Sequence, residues 1–338
     1  MSGTVGQQRQ SSIPLTGTGS CVPPGGAVTV SLTGPENART GRGGAPMPMD
    51  LGAVGRSWDS GEYTWTPQDA VLYALAVGAG TPDPCAELAF TTEKPPDTVQ
   101  RVLPTFAVLP TISRRGPKLG DFPRSRMRHA EQLLRVTGLL PATGRVRVTS
   151  RVTGIHDKRS GALVVITNTV TDAGTGELVA ETISAIFVLG EGGFGGPPSP
   201  STPWSEPDRP ADHVVTYRTN DNQALLYRLC GDRNPLHSDP SVSARAGFER
   251  PILHGLCTYG FAGRAILHAV CGSDPARFGE IRARFAAPVL PGQSLSTHIW
   301  GDGDSFRFVV KAGDTTVLDR GFFSRTEPHG TSTDRYNP

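Results

Sequence analysis

The string Tyr227-Arg-Leu-Cys-Gly231-Asp232-Arg-Asn234-Pro235-Leu-His237 places a carboxylate and an imidazole within six residues. Two such groups held close together can take up and return a proton near neutral pH, which is what general acid–base chemistry requires. Gly231 accepts backbone angles that side chains resist, and Pro235 has no N–H to donate, so both oppose regular helix. The residues just before them, 220–229, read as a short helix with Ala224, Leu225 and Leu229 on one face. Asp232 and His237 should therefore leave a helix end on a bent loop and converge around one water. The same residues have a plainer reading. Asp-x-Asn-Pro is ordinary turn chemistry, because Asp and Asn side chains bond the nearby backbone.

The longer string carries more. An aromatic residue followed by Gly-Asp-x-Asn-Pro-Leu-His, with Pro251-Ile-Leu-His254-Gly255-Leu downstream, resembles the signature of the MaoC-like hydratase 2 family. The resemblance implies a hydro-lyase, a (3R)-specific 2-enoyl-CoA hydratase of fatty-acid or steroid side-chain β-oxidation. Water would add reversibly and syn across the trans-2 double bond of an enoyl-CoA to give the (3R)-3-hydroxyacyl-CoA. Asp232 and His237 would be the catalytic pair, holding and deprotonating the water and returning a proton to C2. Gly231 and Asn234 would support their loop. The N–H of Gly255, where a long helix begins, would stabilise charge on the thioester oxygen.

Three further positions resemble substrate-contacting sites of that family, and with Gly255 they form the expected substrate-binding set. His129 lies in Arg128-His129-Ala130-Glu-Gln132, similar to the family's His-Gly-Glu-Gln, with Ala130 in place of the usual Gly. Lys158 lies in Asp157-Lys158-Arg-Ser160-Gly161, which resembles a turn whose Lys reaches the CoA phosphates. As a residue type it is equally a solvated turn cation. Phe285 lies in Arg284-Phe285-Ala-Ala-Pro288, which resembles the strand and turn flanking the thioester arm, and is otherwise a core residue. His254 is assigned to helix-start packing, and the other histidines are expected to be ordinary. No cofactor is implied, and no third ligand converges on Asp232 and His237 in the sequence, so no metal is expected.

These residues need a frame to position them. Residues 1–46 are rich in Gly, Ser, Thr and Pro without periodicity and are expected to be a disordered extension. Residues 47–195 form a first unit. Thr66-Pro67-Gln-Asp69 is a helix start, 101–110 is a Pro-bounded apolar stretch, and Arg145–Thr153 alternates with Val146, Val148 and Val152 on one side. Strands follow at 162–171 and 178–189. Residues 196–210 are a Gly/Pro linker. Residues 211–326 form a second unit: a short strand, the reactive loop, a helix over 256–270 and four strand-like segments, with 327–338 as a tail. The small residues Ala262, Gly263 and Ala265 should let a sheet wrap closely around that helix.

The two units can be laid on each other. Tyr73-Ala-Leu-Ala-Val-Gly78 matches Tyr227-Arg-Leu-Cys-Gly-Asp232, and Val102-Leu-Pro104-Thr105 matches Ile252-Leu-His254-Gly255. Gly78 stands where the acid would be, so the acyl tail is expected to run through the vacated space. Helix then antiparallel meander, twice, is an α+β pattern. It resembles the double hot-dog layout, two antiparallel sheets each wrapping a central helix, in which the first unit is a degenerate copy that binds acyl-CoA.

Composition sets the outer bounds. A chain of 338 residues is long enough for two sizeable cores. A net charge of +2 gives no electrostatic case for nucleic acid or a membrane surface. Five scattered cysteines without a framework spacing suit a reducing compartment. With no signal peptide or Ser-Lys-Leu terminus to read, the cytoplasm is the expected location. Since two hot-dog units pair within one chain, a homodimer is optional. Two other readings share the fold: a non-catalytic acyl-CoA-binding subunit, and a dehydratase acting on carrier-protein thioesters. The intact Asp232/His237 pair argues against the first.

Overall fold

Alternating strands build most of the molecule, and their order fixes where the reactive loop sits. A computed structural model describes residues 48–96, 98–112, 116–196, 199 and 203–327. The expected extension 1–46 and, apart from Glu327, the tail 327–338 lie outside these residues. The first half runs β1 (Ser57–Trp65), α1 (Pro67–Ala76), α2 (Leu88–Thr91), β2 (Met127–Val136), β3 (Gly144–Asp157), β4 (Gly161–Asp172) and β5 (Leu178–Leu189). The second half runs β6 (His213–Arg218), α3 (Gln223–Tyr227), α4 (Pro240–Arg245), α5 (Gly255–Val270), β7 (Phe278–Phe285), β8 (Ser294–Asp302), β9 (Ser305–Ala312) and β10 (Thr315–Arg325).

Among the described residues the strands form one ten-stranded sheet in the order β1-β3-β4-β5-β2-β7-β10-β9-β8-β6. Read from either edge to the middle the order is the same: the strand before the helices, the three meander strands, then the strand that follows the helices. The halves join where β2 pairs antiparallel with β7, from Glu131 opposite Arg284 to Arg135 opposite Glu280. The Arg135 guanidinium ties this seam, reaching Glu181 at 3.1 Å and Glu280 at 2.6 Å.

Val146, Val148 and Val152 of β3 are buried as their alternation requires. β1 was not foreseen. A register shift between Asp59 and Gly61 breaks its period-2 pattern, so its Trp and Tyr residues do not fall on one parity. The helix before the reactive loop is also shorter than expected. α3 ends at Tyr227 and a 3-10 turn, Arg228–Cys230, follows. Its buried face is Gln223, Ala224 and Tyr227, whereas Leu225 and Leu229 are 53% and 50% exposed, overturning the apolar face read from the sequence.

α1 begins at the helix start foreseen, closed there by a capping box. The Asp69 carboxylate accepts the Thr66 N–H at 2.8 Å, and Thr66 Oγ1 accepts the Asp69 N–H. α5 is the central helix, apolar nearly all round and buried from Leu256 to Leu267. Its counterpart in the first half is a buried 3-10 turn, Pro104–Thr111, in which Pro110 lacks the N–H that an α-helix would need there. The sheet strands β6, β7 and β8 do pack on α5, and two of its glycines admit a further contact. A Cβ on Gly260 would lie 2.5 Å from Val77, and one on Gly263 would lie 2.4 Å from Thr105. These glycines let α5 close on the helical segments of the first half as well.

A buried ion cluster fastens the same contact. Arg264 of α5 is 2% exposed and forks onto Glu87, Nε to Oε1 at 2.8 Å and Nη2 to Oε2 at 2.6 Å. His268 Nε2 meets the same carboxylate at 2.6 Å. Burial alone would raise the Glu87 carboxyl, but the bonds from His268 and Arg264 overcome it and hold it at about 2. Among the described residues no helix is long and apolar enough to cross a membrane.

Candidate active site

The loop after α3 is shaped by its own side chains. Gly231, at φ +122, turns the chain out of the 3-10 segment, a conformation side chains rarely adopt. Asp232 Oδ1 accepts the Asn234 N–H at 3.2 Å. Asn234 Oδ1 in turn accepts the Leu236 N–H at 3.1 Å and caps the turn Pro235–His237. Asn234 is exposed, and this bond braces the loop. The structure thus joins the two readings of the string, because the turn chemistry is what aims the pair.

His237 is 8% exposed, and its Nδ1 lies 2.9 Å from the Ile252 carbonyl oxygen. A carbonyl only accepts, so Nδ1 carries the proton and Nε2 holds the free lone pair. Burial lowers the His237 pKa below that of an ordinary histidine, against the raising pull of the Ile252 bond and the Asp232 carboxylate. The ring is therefore neutral near pH 7, with Nε2 ready to accept a proton.

The structure adds His254 to the pair. Its ring stacks on His237 with centroids 3.8 Å apart and planes 29° from parallel. Its Nε2–H donates to the Asp232 carbonyl oxygen at 3.1 Å. One donor atom each from Asp232, His237 and His254 lies within 4.8 Å of the other two. The sequence reading set His254 aside as helix-start packing. The only hint of more was its place beside Gly255. The trio has the residue types of a metal site and equally those of an acid–base site. Proton handling is the chemistry this geometry supports.

The expected substrate-binding residues fall into two groups. Gly255 opens α5, and the ring of Phe285 lies 3.0 Å from where a Cβ on it would stand. The Phe285 ring lies 4.8 Å from that of His129 on β2. Leu253 N–H donates to the Val289 carbonyl at 2.7 Å, which holds the turn after β7 against the approach to α5. Gly255, Phe285 and His129 are thus one contiguous surface contributed by both halves. His129 Nε2 is buried without a partner among the described residues, and burial holds the His129 pKa at about 4. Lys158 stands apart, exposed in the β3–β4 turn. Two strands separate β3 from β2, a lateral gap of about 14 Å at normal strand spacing. That turn is pinned by Asp157, whose carboxylate accepts N–H bonds from Arg159, Gly193 and Gly195 at 2.7, 3.0 and 2.6 Å.

The space expected beside Gly78 is filled. Gly78 has φ +82, and a Cβ there would lie 2.5 Å from the Phe261 ring and 3.3 Å from Arg264 Nη1. An acid here would be strained and would press on Phe261, so the vacated space expected at this position is not open. A cavity of about 600 Å³ lies elsewhere, lined by Leu133, Ile183, Trp204, Arg282, Arg307 and Phe322 among others, and includes none of Asp232, His237 or Gly255.

A two-half antiparallel sheet with a buried central helix defines the class: a double hot-dog protein. The family model of a MaoC like domain matches residues 203–320, and that of an MFE-2 hydratase 2 N-terminal domain matches residues 63–190. The chain belongs to the MaoC-like hydratase 2 family. It is 44% identical over 261 residues to 3-hydroxyacyl-thioester dehydratase Y of Mycobacterium tuberculosis, spanning 75% of this chain and 88% of that one. It is 42% identical over 266 residues to enoyl-CoA hydratase ChsH3 of the same organism, spanning 76% and 91%. It also resembles the crystal structure of a MaoC-like dehydratase from Phytophthora capsici, with a TM-score of 0.73, 28% identity and coverage of 82% and 98%.

Proposed function

We propose that this chain is a hydro-lyase that reversibly hydrates trans-2-enoyl-CoA thioesters to (3R)-3-hydroxyacyl-CoA. The observation that carries this reading is the convergence of the Asp232 carboxylate and the neutral His237 ring beside the start of α5. His237 Nε2 and the Asp232 carboxylate hold one water. As the water loses its proton to the pair, its oxygen bonds C3 and the π electrons move to C2 and the thioester oxygen. The pair then returns a proton to C2. A backbone N–H at Gly255, at the positive end of a 16-residue helix, stabilises the developing oxyanion. His129 and Phe285 flank the acyl thioester. Lys158, exposed in the β3–β4 turn, takes a more distant anionic group such as the CoA phosphates in this reading. Because the reaction is reversible, dehydration of a 3-hydroxyacyl thioester is the same chemistry.

Both halves of the site lie in one chain, so a second copy is not required. Cys85, Cys230, Cys257 and Cys271 are free thiols, which supports a reducing compartment, the cytoplasm in this reading. The purified chain should bleach the conjugated-thioester absorbance of crotonyl-CoA. Asp232→Asn and His237→Ala should each lower kcat/KM by about 100-fold or more while circular dichroism is unchanged. An active double variant, or a chain that binds crotonyl-CoA without turning it over, would remove the assignment.

A further inference from the structure

We propose that His254 is a positioning residue: it anchors Asp232 by a hydrogen bond and His237 by stacking, so that the two keep one mutual geometry. Its effect on rate rests on the reaction proposed above; its effect on His237 does not.

His254 precedes α5 but does not cap it, since its side chain bonds no N–H of the helix. It bonds instead across 22 residues to the Asp232 carbonyl. With Nε2 as the donor, Nδ1 is unprotonated, and it is buried with no partner among the described residues. A buried, unpaired nitrogen carries a cost that an apolar ring would avoid. An imidazole here is therefore better explained by the bond it makes than by the space it fills.

The ring is also clamped. Tyr227, fully buried, lies against it at 4.9 Å, and His237 lies at 3.8 Å. This stack gives the aromatic residue of the reactive string a task. It supports His254, which supports His237. Because Gly255 is the next residue, the acid, the imidazole and the helix N-terminus share one anchor.

Asp232 is the charge acting on His237, and Arg228 acts on the stacked His254. Burial first, then the neighbouring His237, lowers His254 to about 3. It stays neutral while His237 titrates, and an uncharged ring tolerates the imidazolium that forms during the reaction.

The test is made on the full chain with three variants. His254→Phe keeps a ring but no donor, His254→Gln keeps a donor but no ring, and His254→Ala keeps neither. The His237 titration is followed by NMR and the rate with crotonyl-CoA. His254→Phe should leave the His237 midpoint near that of the wild type and lower kcat by about 10- to 100-fold with KM little changed, as the Asp232 anchor is lost. His254→Gln and His254→Ala should move the His237 midpoint upward, with the acid limb of kcat/KM following it. Wild-type kcat in His254→Phe together with an unmoved midpoint in His254→Gln overturns the proposal, as does a loss of activity that only tracks a lower Tm. His254→Phe, closest in shape, keeps the test open if His254→Ala does not fold. An inactive wild-type chain would remove the proposed reaction but leave the NMR readout intact.

Discussion

His237 is the group whose protonation decides when the site can work. Its folded pKa is lowered, so the neutral, base-competent ring persists below the ordinary histidine value of about 6.5. The acid limb of the kcat/KM profile with crotonyl-CoA should therefore fall below pH 6.5, and a limb above it would contradict the burial seen. Gly78 gives a second prediction at this scale. Gly78→Asp sets a side chain at φ +82 against Phe261, and should cost about 1–3 kcal/mol in thermal melts without creating a second reactive site. Asp232, Asn234 and His237 were legible in the sequence because the bonds that shape their loop run between residues two apart. His254 was not, because its contacts are with residues 17 and 22 positions back, and nothing local announces them.

Among the elements, α5 holds the most tightly specified contact, its glycines and Arg264 set against the helical segments of the first half. Glu87→Gln would leave Arg264 buried with an uncompensated charge, and should cost about 3–5 kcal/mol in urea unfolding at neutral pH. The pH dependence follows from the sign of the shift. Glu87 is held at about 2, below its ordinary 4.5, so its contribution is full above 4.5 and is lost as pH falls toward 2. The variant should lose less further stability than the wild type across that interval. The strands of the two meanders were readable from period-2 alternation, which one buried face imposes directly. β1 escaped because its bulge interrupts the alternation, and the inward face of α3 was misjudged because tertiary packing overrode the leucine pattern. That Gly260 and Gly263 meet the first half could not be read either, since small residues announce close approach but not what approaches.

Taken whole, the molecule is two copies of one topology carrying one reactive pair. The family models match its two halves separately, at 63–190 and 203–320, and we place the boundary in the linker at 196–210. That segment is fastened to the second half: Trp204 Nε1–H donates to the Gly321 carbonyl at 3.0 Å, and Lys311 pairs with Glu206 at 3.1 Å. Because α5 buries one flank on the first half and β2 pairs with β7, neither half alone has a finished core. Residues 47–195 and 211–326 expressed separately should be insoluble or molten by near-UV circular dichroism, while co-expression should restore a folded, active pair. Soluble, cooperatively melting single halves would contradict this.

The β2–β7 seam has one more consequence. His129 meets Phe285 from the other side of it, and Phe285 meets Gly255, so the proposed substrate-binding surface is assembled from pieces of both halves. Here a continuous backbone holds them at a fixed one-to-one ratio, with no equilibrium constant for their meeting. Specific activity should stay level as the enzyme is thinned to nanomolar amounts.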